Sequence, residues 1–212
     1  MKIDFVSDVS CPWCAVGLKS LEAALERLNG EVNAELHFQP FELNPQMGPQ
    51  GQDILEHIAE KYGSSADIGR SQEALKARGD ALGFRFDFQR RSRIYNTFDA
   101  HRLLHWAAEE GKQHELKNAL FSAYFTEGKD PSNHEVLASV AASVGLDEKR
   151  ARQILASDEL AREVRERERF YTGLGIHAVP SVIINDRHLI QGGQPPEVFE
   201  QALRQLAGGS DG

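Results

Sequence analysis

The sequence predicts an α/β fold in which a βαβ unit opens the chain, a ββα unit closes it, and a large all-helical insertion separates the two. Three observations carry this. Strand-like alternation is confined to the two ends, helical periodicity fills the middle, and a Cys-x-x-Cys pair stands where the first strand passes into the first helix.

The first strand is read at Lys2-Ile3-Asp4-Phe5-Val6-Ser7-Asp8, on the alternation of Ile3 and Phe5 with Val6 at its end. Ser10-Cys11-Pro12-Trp13-Cys14 then opens a helix whose apolar stripe, Cys14, Leu18, Leu21, Leu25 and Leu28, steps by four and three. Asn29-Gly30 stops it. The second strand, Glu35–Phe41, alternates on Leu36 and Phe38, and parallel pairing with the first across the helix makes a right-handed βαβ unit. Pro40 and Pro45 end this region, and Gly48, Pro49 and Gly51 mark a loop.

Beyond Gln52 the strand signals nearly vanish. Helices are expected at Asp53–Tyr62, Ala66–Leu82, Thr97–Glu110, His114–Thr126, His134–Val144, Glu148–Ala156 and Glu159–Tyr171. Asn96 or Thr97, Ser132 or Asn133, and Asp147 supply caps. Phe84-Arg85-Phe86-Asp87-Phe88 alternates like a strand but has no partner, so it is read as an extended link that buries its three phenylalanines. Strand pattern returns at Ser181–Ile184 and Arg187–Gln191, a hairpin about a two-residue turn at Asn185-Asp186. Glu197–Leu206 closes the chain as a helix, and residues 208–212 are expected to form a disordered tail.

The cysteines are the only two in 212 residues, and their placement points to redox chemistry. Pro12, with φ preset and no N–H to lose, suits the first helical turn, so Cys11 falls at or just before the N-cap. There the free backbone N–H groups and the positive end of the helix dipole favour a thiolate, which predicts a pKa below the ordinary thiol value of about 8.5. Cys11 is the candidate nucleophile. Cys14 lies one turn on, within disulfide reach and on the apolar stripe, so it is expected to be the more buried, resolving thiol. Zinc is a competing reading, because His101 and His105 stand at i and i+4. A cysteine pair split by proline at a helix start fits redox better than zinc-ligand spacing, so no metal is assigned. An inert buried pair disagrees with the helix-start position of Cys11.

Composition bounds the setting. With 41% hydrophobic and 26% charged residues the chain can bury a proper core, and 32 acidic against 24 basic side chains give a net charge of -8. That balance argues against a general nucleic-acid or anionic-membrane binder, and Arg90, Arg91 and Arg93 read as a solvated face. Lys2, Asp4 and Asp8 interrupt any signal peptide, and no apolar run of about 18 residues could span a membrane. A cytoplasmic protein is expected, where two cysteines form a transient catalytic disulfide sooner than a permanent one.

With these residues in place the chain resembles the DsbA-related branch of the thioredoxin superfamily, in particular its FrnE-like cytoplasmic group. The resemblance rests on Cys11-Pro12-Trp13-Cys14, on Asn96-Thr97-Phe98-Asp99-Ala100-His101-Arg102 in the helical block, and on Ala178-Val179-Pro180-Ser181 before the third strand. It spans nearly the whole chain. It implies a thioredoxin-like domain of residues 1–47 and 173–212 and a helical insertion domain of residues 48–172. It also implies a cis Val179–Pro180 bond whose loop shields the sulfurs and offers backbone groups to a bound peptide, against the plainer reading of a trans proline at the strand's start. Asn96, Thr97 and His101 would cap a substrate cleft from the helical side; without the resemblance, Asn96 and Thr97 are helix caps. Trp13 would be an apolar contact for substrate. It brings no charge to the thiol, so the disulfide is expected to be less strongly oxidising than in relatives with His at that site.

The activity so implied is a thiol-disulfide oxidoreductase or disulfide isomerase with Cys11 and Cys14 as its redox pair and no other cofactor. Its partners would be protein or small-molecule thiols and disulfides, with glutathione or thioredoxin exchanging electrons. The alternative is a glutathione-dependent isomerase or transferase resembling the 2-hydroxychromene-2-carboxylate isomerases or the kappa type. Those typically carry serine at the nucleophile position and lack the second cysteine. A non-catalytic peptide-binding module is the third reading.

Overall fold

In the computed structural model, residues 1–63 and 67–208 are described. β1 (Lys2–Ser7) sits inside a four-stranded sheet, with β2 (Glu35–Pro40) parallel on one side and β5 (Ser181–Ile184) antiparallel on the other. β6 (His188–Gln191) forms the far edge. Both faces of β1 are covered, which is why its apolar alternation is blurred. Ile3 and Phe5 join the main core, whereas Val6 packs with Tyr171 and Ile176 on the opposite side.

α1 (Pro12–Arg27) crosses from β1 to β2, and Cys14, Leu18, Leu21 and Leu28 of its stripe are fully buried. They pack with Phe199 and Leu203 of the closing helix α9 (Pro196–Gly208). Between β2 and β5 lie α2 (Ile54–Tyr62), α3 (Ile68–Ala81), α4 (Phe98–Glu109), α5 (Gln113–Phe125), α6 (His134–Ser143), α7 (Glu148–Leu155) and α8 (Ala161–Gly173). Asp53, Asn133 and Asp147 cap α2, α6 and α7 with side-chain carbonyl or carboxylate oxygens.

Some expectations shift. The expected start at Ala66 lies outside the described residues, and α3 begins at Ile68. α8 starts at Ala161 rather than Glu159, because Leu160 takes a left-handed φ of 64°. A short antiparallel pair, β3 (Gln52–Asp53) with β4 (Arg93–Ile94), was not expected; two residues are too few to show a period. In the hairpin, Asn185 and Asp186 have φ of 52° and 56° and the Arg187 N–H donates to the Ile184 carbonyl at 3.1 Å, but β6 begins at His188, one residue later than expected. Of the expected tail, Gly208 ends α9, and residues 209–212 lie outside the described residues.

The Phe84–Phe88 link buries Phe84 and Phe86, and Phe88 in part. Phe86 meets Phe84 edge-on at 4.9 Å between ring centroids and Phe125 at 5.4 Å. This aromatic group shares one apolar cluster with Ile3, Phe5 and α1, so the inserted helices and the sheet have a continuous core. A second cluster joins α4, α5, α6 and α7 around Leu103, Leu120 and Leu137.

Gly79 is what lets α3 lie on the link: a Cβ there would stand 2.5 Å from the Phe84 carbonyl oxygen and 2.7 Å from the Phe86 ring. Gly79→Ala is expected to lower unfolding free energy by about 1–3 kcal/mol through overpacking, measured by urea denaturation. An unchanged midpoint would show that the link yields.

Candidate active site

β1 delivers the chain through Asp8, Val9 and Ser10 to Cys11, whose N–H donates to the Asp8 carbonyl at 3.2 Å. Cys11 is the N-cap of α1, extended at φ −89°, ψ 112°, with Pro12 as the first helical residue. Its sulfur accepts the Cys14 N–H at 3.3 Å, a bond that serine, threonine, aspartate or asparagine oxygens usually make. Both cysteines are free thiols; Cys11 is 5% exposed and Cys14 is 0% exposed. Burial, then the hydrogen bond and charge of the neighbouring Cys11 sulfur, push the Cys14 thiol well above its ordinary range, and the charge of Lys117 pulls it partly back.

The loop before β5 closes over the sulfurs. The Val179–Pro180 bond is cis, and the Val179 carbonyl accepts from the Cys11 thiol at 3.8 Å. Pro180 lies directly on α1: a Cβ at Gly17 would stand 3.0 Å from its Cγ. Trp13 remains 37% exposed at the rim. Arg78 lies 5.9 Å from its ring centroid and donates to the Gly193 carbonyl at 2.8 Å, tying the turn after β6 to the site.

Behind the loop sits Asp8, whose carboxylate accepts from the Ser10 hydroxyl at 3.0 Å and the Leu43 N–H at 2.8 Å. His101 Nε2 faces Asp8 Oδ1 at 3.3 Å and the Phe41 carbonyl at 3.1 Å. Burial raises the Asp8 pKa, but the hydrogen bond and charge of His101 and the bonds from Leu43 and Thr97 outweigh it, so the carboxyl ends below its usual value. The structure therefore places Thr97 and His101 beneath the cysteine loop, buried, rather than on the wall of the cleft. Asn96 accepts the Phe98 N–H at 2.9 Å, which is local capping at the start of α4. His101 and His105 do not converge with a third ligand: among the described residues, no three His, Cys, Asp or Glu side chains group as a metal site would.

A cleft of about 640 Å³ opens in front of Cys11, Pro12, Trp13 and Val179, with Ile54, Ile58, Leu75 and Phe88 among its apolar walls. Two basic residues near the site were not legible in sequence. Lys117 of α5 is fully buried, its Nζ lacks a hydrogen-bond partner, and it lies 5.0 Å from the Phe121 ring centroid. Burial pushes it down to about 8. Its spacing of four from Phe121, on the apolar face of α5, was the available signal. Arg91, read as part of a solvated face, is buried at 8% exposure and lines the cleft.

A cap-position thiol, a buried partner one turn on and a prolyl loop closing over both, on this βαβ and ββα frame, define a thiol-disulfide oxidoreductase. The chain belongs to the DSBA-like thioredoxin domain family, whose pattern matches residues 2–204. It is similar to a probable DsbA oxidoreductase from Streptomyces coelicolor, with a TM-score of 0.91, 34% identity, and coverage of 100% of this chain and 92% of that one. It is 30% identical to the protein YwbO of Bacillus subtilis over 95% of this chain and 94% of that one. It also shares its fold with a 2-hydroxychromene-2-carboxylate isomerase, with a TM-score of 0.74, 16% identity, and coverage of 97% of this chain.

Two outcomes test the buried charges. Lys117→Met is expected to raise unfolding free energy by about 1–3 kcal/mol at neutral pH, since it removes an unsatisfied buried polar group; a loss of stability in urea titration would show that the ammonium is compensated. Asp8→Asn is expected to destabilise at pH 7. Because the folded Asp8 pKa is depressed, its contribution is present above the unfolded value of about 3.9 and is lost as pH falls below it. The gap between wild type and variant should therefore narrow in acid, and a gap independent of pH would contradict the assignment.

Proposed function

We propose that the chain exchanges thiols and disulfides with protein and small-molecule substrates, using Cys11 as nucleophile and Cys14 as resolving thiol. The observation that carries this is the asymmetry of the two sulfurs: one caps a helix at the mouth of a cleft, and the other is fully buried and held protonated.

Reduction runs in two balanced steps. The Cys11 thiolate attacks one sulfur of a substrate disulfide, the substrate S–S bond breaks, one substrate thiolate leaves and takes up a proton, and a mixed disulfide forms on Cys11. Cys14 then loses its proton and attacks the Cys11 sulfur. The second substrate thiol leaves, and two electrons have passed from the cysteine pair to the substrate. Isomerisation stops at the mixed disulfide and lets another substrate thiol release the enzyme; oxidation is the reverse of reduction.

A cytoplasmic, FrnE-like role is our reading, and it favours reduction or isomerisation, with glutathione or thioredoxin renewing the dithiol. The uncharged Trp13 supports a weakly oxidising pair. No cofactor beyond the two cysteines is needed. A second reading, glutathione-dependent isomerisation, has one observation in its favour, the shared fold with the 2-hydroxychromene-2-carboxylate isomerase. The presence of both cysteines opposes it.

Wild-type protein is expected to reduce insulin disulfides, Cys11→Ser to abolish this, and Cys14→Ser to accumulate a mixed disulfide visible by mass spectrometry. Activity that survives Cys11→Ser would refute the mechanism, and turnover of a small electrophile with glutathione in its place would favour the isomerase. Titration of the pair in glutathione buffers, followed by Trp13 fluorescence, should give a potential nearer the about −270 mV of thioredoxin than the about −120 mV of DsbA.

A further inference from the structure

Arg91 carries a buried charge that no described residue neutralises. Its side chain is 8% exposed, its Nε is buried without a hydrogen-bond partner, and its guanidinium lies 5.1 Å from the ring centroids of both Tyr124 and Phe125. Among the described residues, no carboxylate forms an ion pair with it. The two aromatic faces attract the cation but give it no hydrogen-bond acceptor of carboxylate strength. A lysine here could shed its proton, as Lys117 does at about 8, whereas a guanidinium stays charged at any physiological pH. The charge therefore persists, and it persists on the wall of the cleft that holds Cys11 and Trp13. Among the described residues, Lys61 and His57 line the same cleft with one acid, Asp67.

We propose that Arg91 is an anion anchor: it takes the carboxylate of a small thiol or disulfide whose sulfur reaches Cys11. The sulfur half of this proposal rests on the redox function proposed above, and the anion half does not. A small molecule fits because a guanidinium so little exposed, at the wall of a cleft of about 640 Å³, suits a ligand that enters the cleft, and the apolar walls suit its carbon chain. The covalent chemistry is the exchange already written, with the ligand's disulfide as the electron acceptor.

The test compares two disulfides of similar size, dithiodipropionate, which carries carboxylates, and bis(hydroxyethyl) disulfide, which carries none. Each is reacted with the reduced protein and followed by tryptophan fluorescence. Arg91→Gln is expected to slow dithiodipropionate about tenfold to a hundredfold while leaving the uncharged disulfide unchanged, and Arg91→Lys to recover part of the loss. An equal fall for both substrates, or no fall for either, overturns the anchor. Calorimetry with S-methylglutathione, which cannot exchange, reads the anion site without electron transfer, and its binding should weaken in Arg91→Gln. If that weakening is seen while neither disulfide reacts with wild type, the redox function fails and the anchor stands; if the thioether binds both proteins alike, the anchor fails. Should Arg91→Gln not fold, Arg91→Lys carries the same comparison, because it loses the planar fork and should slow only the dicarboxylate. Arg91-dependent reduction of an acidic peptide disulfide, with no such dependence for dithiodipropionate, would overturn the small-molecule assignment.

Discussion

The hydrogen bond from the Cys14 N–H to the Cys11 sulfur is the interaction on which the site depends. It fixes the Cys11 sulfur against the first turn of α1. The rest of the molecule keeps that sulfur in place. The central position of β1 fixes where the chain leaves the sheet, Pro12 sets the first helical turn, and Asp8 braces the intervening loop against Leu43 and His101. The β5 side closes the arrangement through Val179, whose carbonyl faces the same sulfur, and through Pro180, seated on Gly17.

Three buried ionisable side chains meet the cost of desolvation in different ways. Asp8 is surrounded by donors and stays ionised. Lys117 has no hydrogen-bond partner, and its affinity for a proton falls to match. Arg91 can do neither, because its proton does not leave and no described carboxylate pairs with it. Both cations stand near the cysteines: the charge of Lys117 acts on Cys14, and Arg91 lines the cleft in front of Cys11.

The Streptomyces oxidoreductase and the isomerase both match nearly the whole chain, but at 16% identity the likeness to the isomerase is one of fold alone. One fold can carry different chemistries, because function lies in the site and not in the frame. Here Cys11 occupies the helix start and Cys14 lies one turn on.

The sequence by itself determined the order of the main elements, the helix positions to within about two residues, and the closeness of Cys11 and Cys14, because each depends on near neighbours in the chain: periodicity, caps and a two-residue spacing. It did not reveal β3 and β4, whose two-residue lengths carry no period. Nor did it place Thr97 and His101 under the loop, or separate the buried Arg91 and the half-buried Arg93, which donates to the Gln50 and Gly51 carbonyls, from the exposed Arg90. Those outcomes rest on contacts between residues far apart, such as His101 with Asp8 and Arg91 with Tyr124 and Phe125. Only the tertiary structure decided them, since whether a charge is solvated, braced by donors or packed beside aromatic rings depends on what folds over it.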